Sequence, residues 1–84
     1  MTIEQIKAIW DTIAVAIAEE YPYLAPVVLN RKVQFEDDVV VMQFSEEEKM
    51  IFKIAKTYQA QMQKKLQEVS QSDVSLGIAW RNGA

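Results

Sequence analysis

The stretch VQFEDDVVVMQFSEEEK, residues 33–49, holds two strands, the turn between them and the start of a helix, and its reading decides the fold. Val33 and Phe35 alternate with Lys32, Gln34 and Glu36, the period-two pattern of a strand buried on one face. The next run is more apolar: Val40, Met42 and Phe44 share one face, and Val39, Val41 and Gln43 the other. Asp37 and Asp38 stand between the runs. Aspartate tolerates turn conformations and bonds its own backbone, so a short hairpin is expected even without glycine. Ser45 and Glu48 have the spacing of a capping box, and Glu46, Glu47 and Glu48 lie where a helix dipole favours negative charge. The acidic run therefore starts a helix.

Working outward, that helix is predicted over about 46–69, with Ile51, Ile54, Tyr58, Met62, Leu66 and Val69 as its core stripe, and the SQSD that follows ends it. Val74, Leu76, Ile78 and Trp80 then alternate with Ser75, Gly77 and Ala79, which predicts a third strand. On the N-terminal side, Thr2 and Gln5 have capping-box spacing ahead of a helix whose Ile3, Ile6, Trp10, Ile13, Ile17 and Tyr21 form one stripe. Pro22 disfavours helical geometry at Tyr21, and a single further turn is expected around residues 24–28, with Pro26 inside it. The order helix, short helix, strand, strand, helix, strand predicts an α+β fold in which helices pack a three-stranded sheet. One domain spanning 1–84 is expected, with a core of about 2–80 and the terminal RNGA outside it. Strand order stays open, although a helix returning across the sheet would make the third strand run in the same direction as the second.

A chain of 84 residues buries only about 60 to 65% of the surface its unfolded form exposes, and its expected stability is about 4 to 12 kcal/mol. Half of the residues are apolar and a quarter charged, the composition of a globular protein. Cysteine and histidine are both absent, which removes disulfides, thiol nucleophiles, most zinc sites and the ordinary imidazole base. The net charge of −3 is unlike that of a domain built for phosphate. No run of about 18 apolar residues occurs, and MTIEQIK lacks the order of a signal peptide, so a cytoplasmic protein or a fragment of one, without a membrane segment, is expected.

The candidate sites follow from the same pattern. Asp37 and Asp38 are the residue type of an acid/base pair or a divalent-ion site, but nothing separates their environments or orients them, so they are expected to be turn residues. The glutamates 46–48 are accounted for by the helix start. No catalytic, cofactor-binding or metal residue is expected, and the chain is not expected to be an enzyme. Lys49, Lys53 and Lys56 form a basic stripe that Lys64 continues. Three phosphate contacts would give a salt slope of only about −2.7, so a solvated face or a contact for an acidic partner is expected. The layout is similar to that of KH-type RNA-binding domains, yet the only glycines are Gly77 and Gly83, so the GxxG loop is missing. Trp10, Trp80, Phe35 and Phe44 fall on the stripes expected to be buried, and are expected to be core rather than base-stacking residues. The outer sheet face carries Val39, Val41 and Ala79 beside Gly77 and Ser75, an apolar patch of the kind that marks a protein contact. The partner-binding candidates are therefore Val39, Val41, Lys53 and Lys56.

The segment IWDTIAVAIAEEYPYLAPVVLNRKVQFEDDVVVMQFSEEEKMIFK resembles the small C-terminal domain of the bacterial DNA polymerase III gamma/tau subunit, a clamp-loader component. The resemblance rests on Trp10 in the first helix, Leu24 after a proline-containing break, the VQFEDDVVVMQFS hairpin with its serine, and MQKKLQEV in the late helix. In element order the chain is also similar to the N-terminal domain of the replication initiator DnaA. The likeness covers most of residues 9–80. It departs at Asp38 and Ser70, where the family commonly has glycine. What the resemblance implies is a non-enzymatic interaction module of the DNA replication machinery, with the ATPase modules in a separate upstream part. Its partner would be a polymerase, helicase or clamp-loader subunit. The alternative reading is a KH-like module that binds nucleic acid weakly through the lysine stripe.

Overall fold

The structure is a computed structural model and describes residues 2–80. Helix α1 (Ile3–Ala8) starts as its sequence dictates: the Thr2 hydroxyl accepts from the Gln5 amide at 3.3 Å, and the Gln5 side chain accepts from the Thr2 amide at 2.8 Å. The single N-terminal helix expected from periodicity is in fact two, because Ile9 leaves helical geometry (φ −113°, ψ 14°) before α2 (Trp10–Glu20). The Ile9 amide is shared between the carbonyls of Gln5 (3.2 Å) and Ile6 (3.1 Å), a three-centre bond of the kind seen at helix ends. The Ile13 amide still reaches the Ile9 carbonyl at 3.1 Å, so the hydrogen-bonded path continues across the junction. A 3-10 turn at Pro22–Leu24 then leads into the one-turn helix α3 (Ala25–Val28).

The predicted hairpin is present as β1 (Val33–Glu36) and β2 (Val39–Phe44), joined by Asp37 and Asp38, with Asp37 at φ 46°. After a 3-10 turn at Glu46–Glu48, the expected long helix is again two helices, α4 (Lys49–Thr57) and α5 (Gln59–Ser70), divided at Tyr58. Thr57 supplies the reason. Its hydroxyl donates back to the Lys53 carbonyl at 2.9 Å, an i−4 bond that bends helices, and the next residue takes φ −108°, ψ 17°. Helix α5 closes at Gln71 in the left-handed region (φ 50°, ψ 47°), and the Ser72 amide bonds the Gln67 carbonyl at 3.3 Å, as in a Schellman motif.

Strand β3 (Ser75–Trp80) completes a sheet of order β1-β2-β3, with β1 antiparallel and β3 parallel to β2. The most apolar strand, β2, is central, its backbone paired on both edges. Val40, Met42 and Phe44 are fully buried, and with Ile6, Ile13, Ile17, Leu24, Met62 and Leu66 they form one core between the sheet and the helices. Trp10 belongs to that core at 7% exposure, and Phe35, half-buried, meets it edge-on at 6.2 Å.

Trp80 does not belong to it. It has the inward register, opposite Phe44, yet is 41% exposed. It stands on the last residue of β3, where its cover is the ring of Phe52, stacked 4.0 Å away at 18°. Alternation sets which way a side chain points; what lies above it depends on where the helices end. Along α4, the Tyr58 junction and α5, Ile51, Ile54, Tyr58 and Val69 are half-buried rather than fully enclosed, and Ala55, outside the predicted stripe, is fully buried. Among the described residues, no helix is long and apolar enough to cross a membrane.

Candidate functional site

Two features stand out, a part-buried ionic hub and an open sheet face. The hub is Arg31, which sequence reasoning passed over. Its Nε donates to the Val27 carbonyl (2.8 Å), Nη2 to the Pro26 carbonyl (3.0 Å), and Nη1 to the Gln43 carbonyl (3.2 Å) and to Glu48 Oε2 (2.7 Å). The guanidinium lies 4.1 Å above the centre of the Phe44 ring, and its side chain is only 7% exposed. A planar fork of five donors is the side chain able to serve several acceptors in different directions. Arg31 thus ties α3, the end of β2 and the acidic turn together. Glu48 has two tasks: its Oε1 accepts from the Ser45 amide (3.0 Å) and hydroxyl (3.2 Å), while Oε2 takes the guanidinium. The Ser45 amide first, and then Arg31, hold its carboxyl below the usual range against the opposing effect of partial burial. The sequence signal was faint, one arginine between a helix turn and a strand, and every acceptor but Glu48 is a backbone carbonyl that no composition reveals.

The open face is the outer side of the sheet. Val39, Val41, Gly77 and Ala79 all lie half-buried there, with Ser75, Gln34 and Glu36 exposed beside them. The parallel register sets Val39 beside Ser75, Val41 beside Gly77 and Gln43 beside Ala79. A Cβ placed on Gly77 would lie 3.5 Å from Val39 Cγ1 and 3.6 Å from Val41 Cγ2, so the two valines flank the bare glycine backbone in one continuous strip. The helices pack the opposite face, where Val40, Met42 and Leu76 are buried.

Lys53 and Lys56 are exposed on α4, which packs against α3 and β3 on the inner side. The structure therefore places Val39 and Val41 together but holds the two lysines on another surface of the molecule. Asp37 and Asp38 are exposed hairpin residues, and Glu46 and Glu47 are exposed at the helix start. Among the described residues, no group of three or more His, Cys, Asp or Glu side chains is placed to hold a metal ion.

A glutamine row on α5 is a further arrangement the sequence did not reveal. Gln59 Nε2 donates to the Leu76 carbonyl (2.8 Å), Gln63 Oε1 accepts from the Leu76 amide (2.9 Å), and Gln67 Nε2 donates to the Val74 carbonyl (3.1 Å). These residues recur every four positions and so share one helix face. They satisfy the outward-facing backbone groups at the start of β3, as a neighbouring strand would. Comparison with protein-family models, with curated proteins and with solved structures returns no match for this chain.

Proposed function

We propose that this chain is a non-catalytic protein-binding module of the bacterial DNA replication machinery, of the gamma/tau C-terminal kind, and that the outer sheet face is its docking surface. The observation that supports this reading is the aliphatic strip of Val39, Val41, Gly77 and Ala79, left uncovered by the molecule's own helices. Val39 and Val41 bracket a glycine, so the strip offers a shallow seat for aliphatic or aromatic side chains of a partner. The resemblance of residues 9–80 supplies the class of partner: a polymerase, helicase or clamp-loader subunit. Lys53 and Lys56 are a secondary contact at most, since they face away from the strip.

The test is calorimetric titration of the purified chain against purified replicative polymerase, helicase and clamp-loader subunits. One of them should bind, and Val41→Glu, a change at a half-buried outer position, should weaken that binding by about tenfold or more while leaving the fold intact by circular dichroism. No binding to any of these proteins, or binding indifferent to Val41→Glu, overturns the proposal. Tight binding of labelled single-stranded oligonucleotides that weakens steeply with salt would favour the nucleic-acid reading instead.

A further inference from the structure

The sheet has two edges, and the molecule treats them differently. At the start of β3 the outward-facing amide and carbonyl of Leu76 are taken by Gln63 and Gln59. The edge of β1 has no such cover. The Gln43 amide bonds the Lys32 carbonyl at 2.9 Å, which fixes the phase of the antiparallel ladder: Lys32, Gln34 and Glu36 turn their backbone groups toward β2, and Val33 and Phe35 turn theirs outward. Among the described residues, no backbone hydrogen bond outside the sheet ladder reaches the amide or carbonyl of Val33 or Phe35. Beside this edge runs an open groove of about 400 Å³, lined by residues 33–36 of β1 and by Ile3, Glu4 and Lys7 of α1.

We propose that β1 is a self-association edge, at which two copies of this chain pair antiparallel about a dyad through Gln34 and join their sheets into one of six strands. Charge and phase together select this occupant. With Gln34 opposite Gln34 of the second copy, Val33 faces Phe35 in both halves of the seam, and these are the residues whose backbone groups point outward, so the ladder closes with paired hydrogen bonds. The same register sets Lys32 opposite Glu36 twice on the solvent face, where both side chains are exposed. Shifting by two residues one way keeps the hydrogen-bond phase but sets Lys32 opposite Gln34 and leaves only Val33 paired within the strand. Shifting the other way sets Gln34 opposite Glu36 and carries the Lys32 partner to Asp38, beyond the strand. The Val33 and Phe35 side chains of both copies come together on the groove side, next to Ile3. The seam is short, and the dimer is accordingly weak and dependent on concentration. This inference is independent of the reading of the outer face.

Sedimentation equilibrium of the full chain across micromolar to millimolar concentration tests it, with charge reversal as the specific probe. The wild-type chain should show a monomer–dimer equilibrium. Lys32→Glu and Glu36→Lys should each weaken dimerisation by about tenfold or more, because each sets like charges opposite one another twice. An equimolar mixture of the two variants should form a heterodimer, since every facing pair is then opposite in sign, and the double variant Lys32→Glu/Glu36→Lys should recover the homodimer. Both positions are exposed, and circular dichroism of each variant verifies the fold independently. A wild-type chain that stays monomeric throughout overturns the proposal. So does single-variant dimerisation equal to wild type, or a mixture no more associated than its components.

Discussion

At the scale of single residues, Arg31 concentrates the most consequence in one side chain. Removing it would leave the Pro26, Val27 and Gln43 carbonyls without their donor and Glu48 without its counter-charge. Glu48 keeps 29% exposure, so solvent screens the charge left behind. The cost of leaving acceptors without their donor is about 1 to 3 kcal/mol, a sizeable part of the total expected for a chain of this size. Arg31→Ala should therefore lower the urea midpoint sharply, and Arg31→Lys should restore only a minor share, because an ammonium cannot reproduce the fork. Urea unfolding of the three proteins decides it. Glu48 adds a pH dependence of defined sign. Its folded carboxyl titrates below the ordinary value of 4.5, so the unfolded chain binds its proton first as pH falls. The resulting stabilisation is complete above the ordinary range and is lost as pH drops through the lower folded value. Stability measured from pH 6 downward should fall less steeply in Glu48→Gln than in the wild type. Equal slopes would show that the Ser45 and Arg31 contacts do not bias this carboxyl.

At the scale of elements, the starts of the helices were legible and their continuity was not. Capping spacing at Thr2 marked a helix start that the structure shows, and Ser45 with Glu48 did the same ahead of α4. The apolar period then ran unbroken through Ile9 and Tyr58, where the structure divides the helix, since a local turn in bonding geometry hardly alters a stripe averaged over many residues. The SQSD expected to end the long helix begins at Ser70. The left-handed residue is Gln71, one position later, while Ser70 is buried with its hydroxyl unpartnered among the described residues. A glutamine in left-handed geometry costs about 1 to 2 kcal/mol that glycine avoids, part of which is offset by the greater freedom of glycine in the unfolded chain. Gln71→Gly should raise stability by about 1 kcal/mol, seen as a higher melting temperature with an unchanged spectrum. A lower melting temperature would mean that the end of α5 is held by something other than its Schellman geometry.

At the scale of the whole molecule, Trp10 joins the helical layer to the sheet's edge strand through its edge contact with Phe35. Truncating a large buried aromatic costs about 3 to 5 kcal/mol, so Trp10→Ala should bring this small domain close to unfolding at growth temperature. An unchanged melting temperature would contradict its burial. The outer face, the glutamine-covered edge and the open edge of β1 are likewise properties of the assembled sheet. Periodicity placed Val39 and Val41 on one face and Lys53 and Lys56 on a helix surface, but could not tell that these surfaces point away from each other. Binary pattern, capping spacing and turn residues, all local, determined from sequence alone the α+β class, the three strands, the inward faces and the N-terminal helix cap. Only the tertiary structure decided the strand order, the exposure of Trp80, the burial of Arg31 among backbone carbonyls and the glutamine cover on β3. Each of these depends on which distant groups come within hydrogen-bond or packing distance, and no periodicity along one chain encodes that.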